Sequence, residues 1–269
     1  MRNLFIWAIA GAMLMVGCTK EDGGDTNVDY PDDVALMITD NYFKRYCIDK
    51  FDTNKNGKIS KSEALKATEI WLKGYYTVYN LDGIEYFTNL KKLYCEGQAV
   101  EIVDLSYNKR LADINFCNAS RLKTIKLNDN ITSIPENAFM HCKNLVNITI
   151  PDSVTSIEDG AFYNCSSLTS ITIPNHVSKI ESNAFVGCYN LTSITIPASV
   201  IEIGYLAFLE CTCLSKIYCK PITPPTLGDN VFNNIAYPAT IYVPKGSVNT
   251  YKTYYRWDKY ASMIVGYDF

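Results

Sequence analysis

The sequence has few of the residues and motifs on which enzymes and nucleic-acid-binding proteins depend. It contains two histidines, and its formal net charge at pH 7 is −3. So small a net charge gives no electrostatic reason to expect nucleic-acid binding. A P-loop, a nucleophile elbow, a zinc-protease helix and a dinucleotide-binding glycine motif are all missing. We therefore expect a protein that is not an enzyme.

The apolar run at the amino terminus is also short. It extends from Leu4 to Gly17, which is 14 residues, and it follows a basic start. Such a run is too short for a comfortable transmembrane helix and suits a signal peptide. It ends in Leu-Met-Val-Gly-Cys18, which resembles a bacterial lipobox. The resemblance implies cleavage before Cys18 and a lipid on its sulfur; the alternative is an ordinary secretory signal with an incidental cysteine.

The stretch after Cys18 is polar and rich in glycine. Residues 20–27 carry no apolar pattern, which is typical of a flexible tether. Acidic residues behind a lipidated cysteine resemble the tag that sends some lipoproteins to the outer cell surface. We predict a signal peptide over 1–17, a tether over 18–31, and a lipid-anchored protein exposed on the bacterial outer membrane.

A repeat of 23 residues runs from Thr132 to Pro224, and its blocks begin at Thr132, Thr155, Ser178 and Ile201. Each block carries Phe, Cys, Leu and Ile at fixed places. The aligned residues are Phe139, Phe162, Phe185 and Phe208; Cys142, Cys165, Cys188 and Cys211; Leu145, Leu168, Leu191 and Leu214; and Ile148, Ile171, Ile194 and Ile217. A fixed period of this length predicts a solenoid, in which each coil contacts mainly its neighbours.

A single coil cannot be stable by itself. Burying a large apolar side chain contributes about 1.5–3 kcal/mol, whereas fixing the backbone costs about 1–2 kcal/mol per residue. The coils must therefore stack and pair their strands. Alternation within residues 170–173 directs Ile171 and Ile173 inward, and Pro174 ends the strand because it has no N–H.

The pattern L-x-x-I-x-I-P-x-x-V-x-x-I-x-x-x-A-F-x-x-C resembles the BspA-type leucine-rich repeat of bacterial surface proteins. The resemblance covers about Leu81 to Phe269, and shorter units of about 11 residues from Leu90 onward fit the same stack. It implies a right-handed solenoid. Members of the family are often adhesins or host-contact proteins, which is an analogy of fold rather than an argument from a site.

A different motif precedes the repeats. Residues 52–63 match the EF-hand loop D-x-[DN]-x-[DN]-G-x5-E. The calcium ligands that this motif implies are Asp52, Asn54, Asn56, the carbonyl of Lys58, Ser60 and Glu63. Apolar spacing predicts a first helix from Asp32 onward, and Glu63 to Leu72 a second helix.

We expect a structural calcium ion that braces this helical segment against the first coils. Only two of the ligands are carboxylates, so binding should be weak, at roughly 10⁻⁴–10⁻³ M. The sequence shows no second loop of this type. The alternative is a polar, Asx-rich turn that binds no ion.

The ten cysteines fall mostly on the repeat. Buried thiols are the expected state, since cysteine packs as a small apolar residue. Neighbouring coils lie about 4.8 Å apart at their strands, a span that disulfides tolerate, so both states stay open.

The outward strand positions of the repeat are small and neutral. They form a candidate binding face, the Thr row, which consists of Thr149, Thr172, Thr195 and Tyr218. Such a face can pack on a partner sheet or a glycan, and the alternative is a solvated surface.

The repeat register breaks after Cys219, where three prolines follow closely. Residues 240–248 and 251–257 resemble the terminal cap of BspA-type arrays, which covers the open last coil. Four aromatic residues there can pack on that coil or stack on sugars: Tyr254, Tyr255, Trp257 and Tyr260.

The predicted fold is a β-rich right-handed leucine-rich-repeat solenoid, α+β overall, preceded by a small helical EF-hand domain. Its parts are an EF-hand helix-loop-helix (32–79), the solenoid (80–223) and a C-terminal cap (224–269). We hypothesise a surface-anchored, calcium-stabilised binding or adhesion protein. The alternative is a carbohydrate-binding accessory lipoprotein of a glycan-uptake system. The expected partners are a protein or glycan at the cell surface and, through the anchor, the membrane.

Overall fold

The fold is organised by short parallel strands that are stacked along the chain and joined by turns. They are seen in a computed structural model that describes residues 34–74 and 77–269. The predicted signal peptide, the tether and the lipidation site Cys18 lie outside the described residues. Within them, no helix has the length and apolar character needed to cross a bilayer.

The strands are two to five residues long and bury alternate side chains, as a half-exposed sheet requires. They are β1 (Glu69–Trp71), β2 (Lys92–Tyr94), β3 (Ile102–Asp104), β4 (Asp113–Asn115), β5 (Thr124–Lys126), β6 (Ser133–Ile134), β7 (Asn147–Thr149), β8 (Ser156–Ile157), β9 (Lys179–Ile180), β10 (Ser193–Ile196), β11 (Glu202–Ile203), β12 (Lys216–Cys219), β13 (Thr226–Leu227), β14 (Thr240–Pro244) and β15 (Ile264–Tyr267).

All of these strands pair in parallel, each with the strand about one repeat away. The sheets have the orders β1-β2-β4, β3-β5-β7, β6-β8-β9-β11-β13 and β10-β12-β14-β15. Residues in equivalent positions of successive coils face each other, as Ile157 faces Ile180. This pairing confirms the predicted leucine-rich-repeat solenoid.

The core is a set of columns that run along the solenoid. The predicted Phe, Cys, Leu and Ile positions are all buried, and none is more than 8% exposed. The Phe rings stack nearly parallel, with centroids 5.4 Å apart for Phe139–Phe162 and 5.1 Å for Phe185–Phe208. The column also includes Phe116, whose ring centroid lies 6.0 Å from that of Phe139. Phe116 precedes the first of the four repeat blocks.

The cysteine column lies beside the Phe column. The Cys165 thiol donates to the Phe139 carbonyl, with Sγ and O 3.1 Å apart, and the thiols of Cys142, Cys188 and Cys211 make the equivalent contact in their own coils. Burial raises the pKa of the Cys165 thiol, because the thiolate would lose its hydration. The nine described cysteines are free thiols.

The helices are short. They are α1 (Asn41–Phe51), α2 (Lys61–Lys66) and α3 (Val248–Thr253), and single 3₁₀ turns occupy Ile84–Tyr86, Lys245–Ser247 and Asp258–Met263. Helix α1 packs on the first coil, where the rings of Phe43 and Phe51 lie 6.2 and 5.8 Å from that of Phe87. The helical segment and the solenoid therefore share one core.

The predicted start of the first helix is wrong. The helix begins at Asn41, because the Asp40 carboxylate caps it by accepting from the N–H groups of Tyr42 and Phe43. The segment before it is extended, and Leu36 N–H donates to the Ile59 carbonyl at 2.7 Å.

The predicted second helix is also too long. Helix α2 ends at Lys66, and residues 69–71 form strand β1 instead of a further helical turn. Pairing with β2 buries Ile70 completely, and this tertiary gain outweighs the local helix preference.

The 23-residue register breaks after Cys219, as predicted, but the stack of strands does not end there. Strand β13 continues the sheet of β11, and β14 and β15 continue the sheet of β12. The chain lengthens the coil to 24 residues here, since Lys216 pairs with Thr240, and the prolines lie in the turn. Trp257 and Tyr260 pack against the last coil, whereas Tyr254 and Tyr255 are exposed.

Candidate functional site

The four predicted members of the Thr row lie on one side of the solenoid. Thr149 pairs with Thr172, and Thr195 pairs with Tyr218, each across neighbouring coils. Thr149 and Thr172 are exposed, and Thr195 and Tyr218 are half-buried. Their side chains point outward because the alternating Ile residues of the same strands point into the core. The structure thus presents them as a polar strip made of two paired segments.

The strip ends in an aromatic cluster that sequence reasoning missed. Tyr218 stacks on Tyr242, with centroids 4.8 Å apart, and Tyr267 meets both rings edge-on at 5.6 and 5.3 Å. Tyr267 is 42% exposed. The signal available in the sequence was the repeat of Ile-Tyr at 217–218 and 241–242, which continues the array past the prolines.

The loop between α1 and α2 is shaped by its own side-chain oxygens. Asp52 Oδ2 accepts from Gly57 N–H at 2.8 Å, and Asn54 Oδ1 accepts from Asn56 N–H at 3.0 Å. Asn56 Oδ1 accepts in turn from Lys58 N–H at 2.9 Å. Gly57 has φ +74°, the left-handed conformation that glycine adopts at little cost. The predicted ligands thus line one tight turn.

Glu63 closes this loop. Its Oε1 accepts from the Thr53 N–H and hydroxyl at 2.8 and 3.0 Å, and its Oε2 accepts from the Ser60 N–H and hydroxyl at 3.0 and 2.8 Å. Ser60 Oγ also caps α2. Burial alone would raise the pKa of Glu63, but the hydrogen bonds from Ser60 and Thr53 outweigh it and lower the pKa to about 2. Glu63 is therefore a charged, 2%-exposed carboxylate at neutral pH.

The donor set fits calcium by its chemistry. Carboxylate, amide, hydroxyl and carbonyl oxygens are hard ligands of the kind calcium takes, and the amide and carboxylate oxygens keep unused lone pairs beside their hydrogen bonds. The loop contributes only two carboxylates, and the described ranges contain no group of three or more His, Cys, Asp or Glu that could hold a metal. The same hydrogen bonds would also form in an Asx-rich turn without an ion, so calcium binding stays a prediction.

The two histidines lie away from any such cluster. His176 is exposed, and His141 Nδ1 lies 3.0 Å from Asn164 Nδ2 in the turns between coils.

Comparison with known proteins settles the family. The sequence profile of the BspA type leucine rich repeat region matches residues 109–254 in six copies, which is more than half of the chain. The chain belongs to the BspA-type leucine-rich repeat family. A search of curated proteins gives no match.

Several solved structures are similar to this BspA-type protein. A leucine-rich repeat protein of T. pallidum is 22% identical, with a TM-score of 0.44 over 69% of this chain and 86% of that chain. A leucine-rich repeat protein from Bacteroides ovatus is 20% identical, with a TM-score of 0.37 over 75% and 60%. Internalin C2 from Listeria monocytogenes is 14% identical, with a TM-score of 0.32 over 75% and 93%.

The BspA-type fold is one of the leucine-rich repeat folds, which share a general function. Leucine-rich repeat proteins commonly bind other proteins or surfaces, and their solenoids typically serve as non-catalytic scaffolds. Each coil adds one strand to a long face, so the binding surface grows with the number of repeats.

Proposed function

We propose that this BspA-type protein is a surface-anchored, calcium-stabilised binding or adhesion protein without catalytic activity, and that the Thr row is its binding face. The observation that carries the proposal is the outward pairing of the row residues across neighbouring coils. Thr149 and Thr172 pair across coils, Thr195 and Tyr218 do the same, and the row continues into Tyr242. A flat, neutral strip of this kind lets a partner approach closely without desolvating charges.

A binding screen on immobilised extracellular-matrix proteins, run beside a glycan array, tests the proposal. The double variant Thr172→Lys and Thr195→Lys places two charges on the face and should weaken the binding of a matrix protein at least tenfold. Ser156→Lys is the matched control, since Ser156 is an outward strand residue on a different sheet. Equal losses in both variants, or no loss in the double variant, would refute the proposed face.

The anchor is a separate part of the proposal. The supporting feature is the Leu-Met-Val-Gly-Cys18 sequence after an apolar run, which favours lipidation of Cys18 and attachment to the outer membrane. Labelling with palmitate in the native host should mark the wild-type protein and not Cys18→Ala. An unlabelled wild type would end this part of the proposal.

Calcium binding by the loop between α1 and α2 is the third part of the proposal. Asp52, Asn54, Asn56, the Lys58 carbonyl, Ser60 and Glu63 would hold the ion, which would supply charge neutralisation and brace the loop against α1. With the weak affinity expected of extracellular modules, about 10 mM calcium should stabilise the fold by about 1–3 kcal/mol. Calorimetry should show heat of binding and a higher Tm for the wild type, and neither for Asp52→Ala. Absence of both in the wild type would favour the ion-free turn.

The second candidate function is a carbohydrate-binding accessory lipoprotein. The stacked rings of Tyr218 and Tyr242, with Tyr267 beside them, favour it, because aromatic faces pack well against sugar rings. The same screen separates the two candidates: the array would be positive and the matrix proteins negative, and Tyr242→Ala would weaken the array signal.

A further inference from the structure

A second aromatic surface lies at the opposite end of the solenoid, where helix α1 meets strand β1. Trp71 and Tyr94 occupy paired outward positions on β1 and β2, and their rings are parallel within 3°, with centroids 4.1 Å apart. Trp71 is nonetheless 43% exposed. Because β1 is the edge strand of its sheet, only one face of the Trp71 indole is covered by a side chain of a neighbouring strand, that of Tyr94.

The uncovered side of Trp71 faces an open cleft of about 690 Å³. The lining residues are Tyr46, Lys50 and Phe51 from the last turns of α1, and Glu69, Trp71 and Lys73 from the β1 region. The rings of Tyr46 and Phe51 pack edge-on, with centroids 6.1 Å apart. Tyr46 Oη accepts a hydrogen bond from the backbone N–H of Trp71 at 2.9 Å. Aromatic walls held in this way form a preorganised site rather than a mobile surface.

The indole is held at a defined angle. Trp71 Nε1–H donates to Glu69 Oε2 at 3.1 Å, and Tyr94 Oη–H donates to Asp113 Oδ2 at 2.6 Å. Both bonds tie ring edges to carboxylates on the same face of the sheet. They fix the aromatic pair as a flat platform and leave carboxylate lone pairs open to further donors.

The rim of the cleft is polar with both signs of charge. Lys73 lies 3.0 Å from Glu96, and Lys92 lies 3.8 Å from Glu69. Lys50 is exposed at the end of α1. Ammonium donors and carboxylate acceptors around an aromatic platform match the hydroxyl groups of a sugar, each of which can both donate and accept.

We propose that the cleft between α1 and β1 is a carbohydrate-binding site, in which the C–H face of a pyranose ring stacks on Trp71. The C–H bonds of that face carry partial positive charge and meet the negative π face of the indole, while Lys50, Lys73 and Glu69 hydrogen-bond to the hydroxyl groups of the sugar. None of these residues lies in the Thr row, so this site is independent of the face proposed above.

Intrinsic fluorescence tests the site directly. The chain has three tryptophans, and Trp257 is fully buried while Trp71 is exposed. In the full-length chain carrying Trp7→Phe, quenching by acrylamide therefore reports mainly on Trp71. The probes are oligosaccharides of glucose, xylose, mannose and N-acetylglucosamine. At least one should protect Trp71 from acrylamide and shift its emission to the blue in a saturable way.

Variants locate the binding. On an array of the same oligosaccharides, Trp71→Ala should weaken binding at least tenfold, whereas Trp71→Phe, which keeps an aromatic face, should lose less. Tyr107→Ala is the matched control, since Tyr107 is 63% exposed and lies outside the cleft; it should bind as the wild type does.

Two results would overturn the site. One is that no probe protects Trp71; the other is that Trp71→Ala binds as strongly as Tyr107→Ala. The double variant Thr172→Lys and Thr195→Lys separates this site from the Thr row, because it should leave oligosaccharide binding at Trp71 unchanged. A loss of binding in that variant alone would assign the sugar to the Thr row instead.

Discussion

At the scale of single residues, Glu63 connects the loop to the stability of the whole fold. Its pKa is lowered from 4.5 to about 2 in the folded protein. A lowered carboxylate pKa stabilises the folded state above the unfolded pKa, and this stabilisation is lost as the pH falls through the folded pKa. The window for Glu63 is therefore about pH 4.5 down to about pH 2.

We predict that the Tm of the wild type falls more steeply across this window than that of Glu63→Gln. The glutamine keeps the size of the side chain but has no charge to lose on acidification. The measurement is thermal unfolding by circular dichroism at several pH values in calcium-free buffer. Parallel Tm curves for the two proteins would show that Glu63 does not contribute its charge to folding.

Cys165 provides a second test at this scale. It is fully buried and its thiol donates to the Phe139 carbonyl. Cys165→Ala removes the sulfur, leaves a small cavity and ends the contact, so the free energy of unfolding should fall by roughly 1–2 kcal/mol. Cys213→Ala, at an exposed cysteine, should change it by less than about 0.5 kcal/mol. Urea denaturation under reducing conditions measures both.

Single residues also differ in whether their positions in the fold can be predicted from the sequence. The periodic Phe, Cys, Leu and Ile positions were predictable, because their spacing is set by the coil itself. Trp71 was not, because residues 63–72 contain good helix formers and the strand that pairs with Trp71 is more than 20 residues away. The aromatic cleft depends on that long-range pairing, so its residues could not be grouped from local pattern.

At the scale of elements, Gly204 allows one coil to lie close against the coil before it. Gly204 comes directly after β11, and a Cβ there would lie 2.4 Å from Ser182 N and 2.6 Å from Glu181 C. These atoms belong to the backbone of the previous coil and cannot move aside alone. The turn after β11 is thus packed backbone against backbone.

We predict that Gly204→Ala lowers the free energy of unfolding by about 1–3 kcal/mol, since the coils must separate to admit the methyl group. Gly246→Ala is the control, because a Cβ at Gly246 would meet nothing within 4 Å; it should have little effect or stabilise by up to about 1 kcal/mol. Urea denaturation distinguishes them. If Gly204→Ala matched the control, the close approach of the two coils would be refuted.

The elements at the carboxyl end show a second limit of sequence reasoning. Pro221, Pro224 and Pro225 suggested the end of the array because proline interrupts strands. The structure places them between β12 and β13, where the turn absorbs one extra residue and the pairing of Ile217 with Ile241 is kept. A proline marks a boundary of a strand, and only the pairing of the later strands shows whether the solenoid continues.

At the scale of the whole molecule, each coil offers its neighbour the same hydrogen-bonding groups. Ser178 N–H donates to the Thr155 carbonyl at 2.8 Å, and Thr155 N–H donates to the Thr132 carbonyl at the same distance. The carbonyl below and the N–H above are therefore interchangeable from one coil to the next.

Because of this equivalence, we expect that one whole coil can be deleted while the remaining coils still pair with each other. Deleting residues 155–177 would join Val154 to Ser178, let Ser178 bond to Thr132 and bring Phe185 onto Phe139. We expect a folded protein of native-like circular dichroism that unfolds at a lower urea concentration, because one interface is lost. Deleting residues 155–176 would leave a coil of 24 residues, the length that the turn before β13 accommodates, so this variant should also fold. Whole-coil gain and loss is thus a route by which such a chain can change the length of its binding surface without rebuilding its core.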